Sequence, residues 1–365
     1  MSGAWKFAPP LKSVTQGIVA SGFGDLPFGR ALFLEFGWAP GVKGGAWLAA
    51  LNTAVDVSDG IPDPGQSRSA ALALTWTGLA RMGLDATALA SFDRAFREGM
   101  FQEDRLRRLG DRRAGKWLET VVPEGPQWSG NTPMRDPTRI DPATLDPFAV
   151  AAEGTAEVAL STPLTVHALV LLYERDEAMA AVWAAQVKAA LAAAGVTTVH
   201  ELDLLLDVEK QGISREHFGF ADGLSQPAPY GAPLPVDESG LVLIDGEPAM
   251  KNPVQGVPLG EILIGYQNGH NEPAPGPIVP REIGGRPAQQ DPRPAAAGLR
   301  DHPLAEGFAD FGINGSYLVV RELKQDVAAF WASLAANAAA MRAADPGATH
   351  ITTDWLAERI VGRGR

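Results

Sequence analysis

The chain has 365 residues, of which 43 are acidic and 31 basic, so its net charge at neutral pH is −12. This balance disfavours nucleic-acid binding, which needs a clustered basic face. Apolar residues make up 45% and charged residues 20%, as in globular proteins large enough to bury a substantial core. Because there is no cysteine, disulfides and thiolate metal ligands are excluded.

Neither a membrane partner nor export is expected from the sequence. The N-terminal stretch MSGAWKFAPPLKSV has no apolar core and no twin arginine. No apolar run approaches the roughly 18 uninterrupted residues that a membrane span needs. A chain without cysteine also suits a reducing compartment. We therefore expect a cytoplasmic protein.

Strand and helix patterns alternate in the first part of the chain. The aromatic-rich run at Gly29–Pro40 predicts a buried strand, and helical spacing of apolar residues follows it around Trp47–Val55. A second strand is predicted around Leu72–Trp76, with a turn of helix after it. Residues 85–162 read as a long irregular insertion, rich in Gly and Pro.

The same order returns after the insertion. Leu164–Glu174 predicts a strand, and Asp176 begins a helix that continues to Ala194, with Gly195 as its stop. A last strand is predicted in Val199–Lys210. Two β-α-β units of this kind predict an α+β fold, a ferredoxin-like β-sandwich with helices on one face of the sheet. Residues 1–215 form this predicted domain, with the insertion at about 85–162.

The second half of the chain differs in amino-acid composition. Fifteen of the 29 prolines lie at 227–303, so residues 216–305 read as a motif loop and a Pro-rich connector. Within it only Gly260–Gly269 predicts a strand. Residues 306–365 then begin a second ferredoxin-like unit, with a strand and a helix in Ile313–Ala344. A lone strand and helix leave an apolar face without a partner, so we expect this unit to be incomplete.

The sequence EHFGFADGLSQP at Glu216–Pro227 surrounds one carboxylate, Asp222, with Gly219 and Gly223. Glycines in such a turn let the backbone approach a flat ligand and aim the carboxylate at it, where it can exchange a proton. The alternative is a structural turn in which Asp222 caps the following residues and Ser225 and Gln226 add local hydrogen bonds. The pattern alone leaves both interpretations open.

Beyond this motif, much of the chain resembles the dye-decolourising (DyP-type) haem peroxidases, specifically their longer cytoplasmic subgroup. The matching segments run in the family's order: QGIVASGFGDLPFGRALFLEF, LTWTGLARMGL, SFDRAFREGM with RLRRLGD, EHFGFADGLSQP, GEILIGYQNG and NGSYLVVRELKQDVAAFW. GFADG fits the family's Gly-x-x-Asp-Gly signature. The resemblance implies a peroxidase with haem b (heme b) that reduces hydrogen peroxide and oxidises an organic electron donor.

The resemblance also assigns residues. Asp222 would be the distal acid-base residue, which takes a proton from one oxygen of hydrogen peroxide and returns it to the other. His217 would lie near a haem propionate. The other residues implied in cofactor binding are Gly219, Phe220, Gly223, Ser225 and Gln226.

The chain departs from the family pattern in its iron ligand. None of its six histidines lies in the family's proximal motif, and the segments that carry the proximal histidine and the distal arginine have no counterpart. We therefore expect no metal ligand within this chain and no peroxidase activity from it alone. Three hypotheses follow: a peroxidase completed by a C-terminal chain or a homo-oligomer, a truncated remnant serving as a haem-free binding or assembly module, or a metal-independent ligand-binding protein.

Overall fold

In a computed structural model of the chain, the described residues are 9–20, 23, 25–39, 44–61, 63, 65–100, 103–110, 112–113, 116–117, 128–129, 164–208, 214–221, 227–230, 243–244, 247–248, 256–270, 272, 276–283, 286–287, 299–323 and 325–362. The chain divides into two compact units. The larger unit comprises 5–204 and 227–319, and the smaller unit comprises 1–4, 205–226 and 320–365. The domain limits predicted at 215 and 305 stay a prediction.

The helices within these ranges are mostly short. They are α1 Pro9–Lys12, α2 Gly17–Ala20, α3 Trp47–Ala54, α4 Trp76–Arg81, α5 Ala86–Ser91, α6 Arg94–Glu98, α7 Glu103–Arg108, α8 Glu177–Ala193, α9 Val327–Ala344 and α10 Thr353–Val361. Leu259–Glu261 forms one turn of 3₁₀ helix. No described helix combines the length and the apolar character that a membrane crossing would demand.

Four strands are long enough to build a sheet, and the others are short ribbons. The strands are β1 Phe28–Phe36, β2 Arg68–Leu74, β3 Arg112–Arg113, β4 Lys116–Trp117, β5 Trp128–Ser129, β6 Leu164–Thr165, β7 Ala168–Glu174, β8 Val196–Leu205, β9 Asp207–Val208, β10 Ser214–Arg215, β11 Ala228–Tyr230, β12 Leu243–Ile244, β13 Glu247–Pro248, β14 Gly256–Pro258, β15 Ile278–Pro280, β16 Glu282–Ile283, β17 Arg286–Pro287 and β18 Phe308–Asp310.

The main sheet has the order β2-β7-β1-β8. β7 pairs antiparallel with both β1 and β2, so Val170 faces Leu32 on one side and Leu72 on the other. The helix α3 connects β1 to β2, and α8 connects β7 to β8. Counted along the chain, this is a β-α-β-β-α-β unit with spatial order 2-3-1-4, which is the ferredoxin-like arrangement. The predicted fold class is confirmed.

The helix α8 shows why the local prediction succeeded. The Asp176 carboxylate accepts a hydrogen bond from the Met179 backbone nitrogen at 2.9 Å and begins the helix. Gly195, with φ of +78°, ends it as predicted. The buried side chains of α8 pack in one core cluster with Trp47 of α3 and Leu32 of β1. Both helices therefore cover the same face of the sheet.

Two sequence predictions need correction in the larger unit. The second strand ends at Leu74, because the Thr75 hydroxyl accepts from the Gly78 backbone nitrogen at 3.0 Å and starts α4 at Trp76. The start of the predicted irregular insertion holds three short helices, α5 to α7. Two of them begin at the acidic caps Asp85 and Asp93. Most of the remaining insertion lies outside the described residues.

The strand predicted at Gly260–Gly269 is also wrong. This segment folds back on itself: the Gly260 nitrogen donates to the Gln267 carbonyl at 2.9 Å, and Gly265 has φ of +92°. A Cβ atom at Gly260 would collide with that carbonyl. The glycines therefore serve a tight loop and not a strand.

The smaller unit combines the β9-β10 ribbon with α9 and α10. The helix α9 begins where the Asp326 carboxylate accepts from the Ala329 nitrogen at 2.8 Å, so the predicted helix is confirmed. The strand predicted before it is not formed: residues 316–323 have no regular structure and belong to no sheet. Within them Leu318, Val319 and Leu323 are exposed.

Candidate functional site

The residues predicted to form the site fall partly within the described ranges. His217, Gly219 and Phe220 are described, and they lie in the turn that follows β10. Their roles toward a cofactor stay a prediction. The remaining predicted site residues lie outside the described residues: Asp222, Gly223, Ser225 and Gln226.

The turn is closed by its own backbone. The Glu216 nitrogen donates to the Phe220 carbonyl at 3.0 Å, and the Gly219 nitrogen donates to the Glu216 carbonyl at 2.8 Å. Arg215 and Ala221 face each other in an antiparallel bridge. Gly219 has φ of +90°, a conformation that side chains rarely adopt, which explains the glycine there. The chain thus leaves the turn in a fixed direction, one residue before the predicted acid-base residue.

The Glu216 side chain fastens the same turn. One carboxylate oxygen accepts from the Phe218 nitrogen at 2.7 Å, and the other accepts from the Phe220 nitrogen at 2.9 Å. On the other side, the Arg215 guanidinium donates to the Gly219 carbonyl at 2.9 Å. Hydrogen bonds in which one partner is charged are stronger than neutral ones. Two side chains therefore fix the backbone on both sides of Gly219.

An aromatic side chain anchors the turn to the helices of the smaller unit. Phe220 is fully buried and packs in a cluster with Leu334 of α9 and Ala357 of α10. Its ring lies nearly parallel to that of Trp331, with centroids 6.2 Å apart. The His217 side chain, in contrast, is exposed. The Phe220 side chain therefore points into the core of the smaller unit, while the His217 side chain faces solvent.

Sequence reasoning missed Glu216 and Arg215, because their contribution is made to backbone groups and involves no ligand. The available signal was the spacing: Glu216 stands two and four positions before the two nitrogens it binds, on either side of a glycine. Short polar side chains often bind nearby backbone nitrogens in turns. A longer glutamate side chain can make the same kind of hydrogen bond when a glycine allows the backbone to form a tight turn around the carboxylate.

A histidine that holds a haem iron needs a ring nitrogen with an available lone pair, and two of the described histidines use the Nδ1 lone pair in a backbone hydrogen bond. The Nδ1 atom of buried His167 accepts from the Phe36 nitrogen at 2.8 Å, which places the proton on Nε2 and leaves no lone pair for a metal. The Nδ1 atom of His302 likewise accepts from the Leu304 nitrogen at 3.2 Å. No group of three or more potential ligands is arranged to hold a metal ion among the residues that the structure describes.

The other four histidines differ in their surroundings. His200 packs beside the Phe33 ring and His350 beside the Trp355 ring, while His217 and His270 are exposed. The expectation that this chain holds no iron ligand stays a prediction, because the lack of a three-ligand cluster among the described residues does not test a single axial ligand.

A buried polar cluster in the larger unit is the other notable site of charge. Asp310 is 1% exposed, and one of its oxygens accepts from the Arg300 guanidinium at 3.0 Å. The second oxygen is buried and has no hydrogen-bond partner among the described residues. Burial raises the pKa of nearby Tyr266, an effect that Arg300 opposes and Asp310 reinforces. This cluster joins segments distant in sequence and has no local sequence signal.

The chain was compared with protein families, with curated proteins and with solved structures. No protein-family model and no curated protein matches the chain. Among solved structures, an Asp-to-Asn variant of a dye-decolorizing peroxidase in complex with cyanide matches at 20% identity and a TM-score of 0.44, over 73% of this chain and 47% of that one. The DyP-type peroxidase of Anabaena sp. matches at 19% identity and a TM-score of 0.40, over 60% and 40%.

A decolorizing peroxidase from Auricularia auricula-judae matches at 14% identity and a TM-score of 0.43, over 72% of this chain and 45% of that one. This chain spans less than half the length of each of these three proteins.

Proposed function

We propose that the chain is the peroxide-handling part of a DyP-type haem peroxidase. The observation that carries the proposal is the fastened turn Glu216–Ala221, which directly precedes Asp222 within the family's Gly-x-x-Asp-Gly signature. A turn held by two side chains and a buried aromatic ring is a suitable support for a carboxylate that must be aimed. The reaction is the reduction of hydrogen peroxide to two waters, with two electrons from an organic donor and two protons.

Asp222 has the acid-base role in this proposal. A carboxylate beside bound hydrogen peroxide accepts the proton of one oxygen and returns it to the other, so that the oxygen that leaves does so as water. The glycines on either side, Gly219 and Gly223, let the backbone come close to a flat cofactor. Ser225, Gln226 and the exposed His217 would complete the surface that contacts haem b and its propionates.

The iron ligand is proposed to come from another polypeptide. Since none of the six histidines lies in the family's proximal motif, the peroxidase would take this ligand and an arginine from a complementary chain. A second copy of this chain is the other candidate partner. The apolar side chains of 316–323 that lie open to solvent, together with the sparse burial on α9, are consistent with a surface that such a partner covers.

A second candidate function is a haem-free binding or assembly module. The observation that favours it is that two of the six histidines, His167 and His302, use Nδ1 to accept backbone hydrogen bonds. In this case the turn would be structural, and Asp222 would serve as a cap.

Haem titration separates the two functions. Purified chain is mixed with hemin, and the absorption spectrum is recorded with and without peroxide, alone and together with a polypeptide that carries the family's proximal-histidine and distal-arginine segments. If a second polypeptide supplies the iron ligand, haem should be taken up only in the mixture. A histidine-ligated spectrum from this chain alone would contradict the proposed origin of the iron ligand, and no uptake in either sample would favour the binding module.

Replacing the acid-base residue tests the catalytic proposal. In the reconstituted assembly, Asp222→Asn removes the proton acceptor but keeps the size of the side chain. We expect peroxide-driven oxidation to fall by about 10²- to 10⁴-fold, as for other general acid-base residues, with haem affinity unchanged. Asp301→Asn, at a carboxylate whose side chain is 89% exposed, is the matched control and should keep full activity. Parallel loss of activity and haem binding would make Asp222 a structural residue.

A further inference from the structure

The loop that begins at Gly260 contains an Asn-Gly pair, Asn268–Gly269, beside a carboxylate. The Gly269 backbone nitrogen donates to a Glu261 carboxylate oxygen at 2.7 Å, which is the distance of a strong, charge-assisted hydrogen bond. A Cβ atom at residue 269 would lie 3.1 Å from the same oxygen, closer than such contacts normally are. Glycine therefore leaves its backbone nitrogen open to the carboxylate.

The Asn268 side chain is held through its amide oxygen. Oδ1 accepts from the His270 nitrogen at 2.9 Å and from the Glu272 nitrogen at 3.1 Å. Hydrogen bonds to a carbonyl oxygen draw electron density from its carbon, so the Asn268 Cγ atom becomes a better electrophile. The contact to His270 closes an Asx turn, and the ring of atoms in this turn also contains the Gly269 nitrogen. The electrophilic carbon and this nitrogen thus belong to one closed turn.

The chain has a second Asn-Gly pair in the larger unit, Asn314–Gly315. There the Gly315 nitrogen donates to the Gly312 carbonyl at 2.8 Å, and the Asn314 Oδ1 atom accepts from the Tyr266 hydroxyl at 2.5 Å. A peptide carbonyl accepts a hydrogen bond but is a far weaker base than a carboxylate. The two pairs therefore share their sequence and differ in the group that contacts the glycine nitrogen.

We propose that Asn268 is a site of intramolecular deamidation and that Glu261 is its general base. The Gly269 nitrogen forms a bond to the Asn268 Cγ atom while its proton passes to the Glu261 carboxylate. The bond from Cγ to Nδ2 then breaks, and Nδ2 leaves as ammonia with the proton that Glu261 has held. The product is a cyclic imide. Water opens this imide at either carbonyl carbon, which leaves aspartate or isoaspartate in place of Asn268.

The modification changes the closure of the loop. The Asn268 nitrogen donates to the Glu272 carbonyl at 3.0 Å, and the Gly260 nitrogen donates to the Gln267 carbonyl at 2.9 Å. Deamidation adds a negative charge next to these backbone bonds, and the isoaspartyl product also lengthens the backbone by a methylene group. The deamidated loop is therefore less firmly closed. The reaction needs neither haem nor Asp222, so the inference goes beyond the proposed function and does not depend on it.

The first experiment compares the two Asn-Gly pairs within one molecule. The purified full chain is incubated at physiological pH and temperature and digested under mildly acidic conditions, in which deamidation is slow. Mass spectrometry follows the replacement of NH₂ by OH, and methylation by an isoaspartyl methyltransferase detects the isoaspartate. Asn268 should convert at least about tenfold faster than Asn314, because only its pair has a general base. Equal rates at the two pairs would overturn the proposal.

The second experiment removes the base and keeps the hydrogen bond. In Glu261→Gln the side-chain oxygen can still accept from the Gly269 nitrogen, but it cannot take up the proton. Conversion of Asn268 should slow by at least about tenfold, while conversion of Asn314 stays unchanged. Glu272→Gln is the matched control, because it removes the same charge from an exposed residue that contacts Asn268 through its backbone. This variant should keep the wild-type rate.

Two results of the second experiment would overturn the proposal. Faster conversion of Asn268 in Glu261→Gln would mean that the carboxylate protects the pair by holding the nitrogen in place. An unchanged rate would mean that Glu261 takes no part in the reaction. The comparison between Asn268 and Asn314 uses the wild-type chain alone, so it decides the question even where Glu261→Gln does not fold.

The third experiment measures what the modification does to the loop. Hydrogen exchange at the Gly260 and residue-268 amides is compared between fresh and fully converted chain. We expect exchange to be faster in the converted chain by at least about tenfold, the effect of losing one backbone hydrogen bond. Asn268→Ala, incubated in the same way, is the control for ageing elsewhere in the chain and should show no change during incubation. Equal exchange in fresh and converted chain would contradict the loosening of the loop.

Discussion

The larger unit contains an apolar run that leads into an Asp-capped, alanine-rich helix, and a second such run spans the boundary in sequence between the larger and the smaller unit before a second such helix. In the larger unit, β7 is followed by Asp176 and the 17-residue α8. In the smaller unit and the segment that enters it, residues 316–323 are followed by Asp326 and the 18-residue α9. The two caps make the same kind of hydrogen bond, from the backbone nitrogen three residues on to the carboxylate, at 2.9 and 2.8 Å.

The two runs differ in what surrounds them. β7 lies between β2 and β1, and α8 buries five side chains: Ala180, Trp183, Ala184, Val187 and Leu191. On α9 only Leu334 and Ala338 are buried, and residues 316–323 pair with no strand in the described chain. Local signals are thus sufficient to start and stop a helix. The amount of buried apolar surface depends on strands that come from elsewhere in the chain.

Matched tryptophans give the largest test of this difference. Trp183 on α8 is 3% exposed and its indole nitrogen donates to the Ala54 carbonyl at 3.1 Å, whereas Trp331 on α9 is half-buried. Trp183→Ala should lower the free energy of unfolding of its unit by about 3–5 kcal/mol, because it leaves a cavity in a close-packed core. Trp331→Ala should cost its own unit less than half as much.

Urea unfolding followed by amide exchange reports each unit separately. Trp183→Phe is the control, since it keeps an aromatic ring in the core and should recover most of the loss. Equal costs at Trp183 and Trp331 would mean that α9 is packed as completely as α8, contrary to the comparison.

The sequence was sufficient for elements whose signals are local. The helix α8 was predicted with its cap and its stop because Asp176, the apolar residues and Gly195 all lie within twenty positions of each other. The loop around Gly260 was mistaken for a strand because its apolar letters fit one. The contact that folds it, from the Ile264 nitrogen to the Gly315 carbonyl, spans residues far apart in sequence.

The candidate site likewise contains residues that could be predicted from the sequence and residues that could not. The glycines of the motif and the carboxylate between them were visible in the sequence, because each residue type has a conformational or chemical reason to be there. Glu216 was not predicted, since a glutamate in a turn is ordinary until its oxygens are seen to bind two backbone nitrogens. The absence of a proximal histidine motif was also readable, as a departure from the family pattern.

A hydroxyl introduced on each apolar run gives a smaller effect of the same kind. Val170 in β7 is 1% exposed, and Val319 is 67% exposed. Val170→Thr should lower the free energy of unfolding by about 1–3 kcal/mol, because a hydroxyl is buried where a methyl group was. Val319→Thr should change it by no more than about 0.5 kcal/mol. Both changes are measured from the shift of the urea midpoint, with the slope of the unfolding free energy against urea concentration held constant.

A protein partner would change that outcome. Val319→Thr should weaken assembly with a chain that covers residues 316–323, even though it leaves the isolated chain unaffected. A loss of stability at Val319 without any partner would show that this run is packed in the free chain and would contradict the comparison.

The smallest effect expected is on stability at high pH, and it again separates the two runs. Burial raises the pKa of Tyr173 in β7. Burial also raises the pKa of Tyr317, with help from the charge of Asp93 and against a backbone hydrogen bond from the same residue. Below the ordinary tyrosine pKa of about 10, both phenols are neutral in folded and unfolded states, so their contribution to stability is fully present. As pH rises from there through the raised folded-state pKa, the unfolded chain releases its protons first, and stability falls.

Tyr173→Phe should therefore flatten the decline in the free energy of unfolding above about pH 10, because phenylalanine has no proton to lose. Tyr317→Phe should flatten this decline less. Tyr317 is 42% exposed, so water screens the charge of its phenolate. Urea unfolding of both variants and the wild type at a series of pH values between 8 and about 11 measures the two slopes. A steeper decline in Tyr173→Phe than in the wild type would contradict the direction of the pKa change. A larger effect at Tyr317 than at Tyr173 would show that the run before α9 is the more deeply buried of the two in solution.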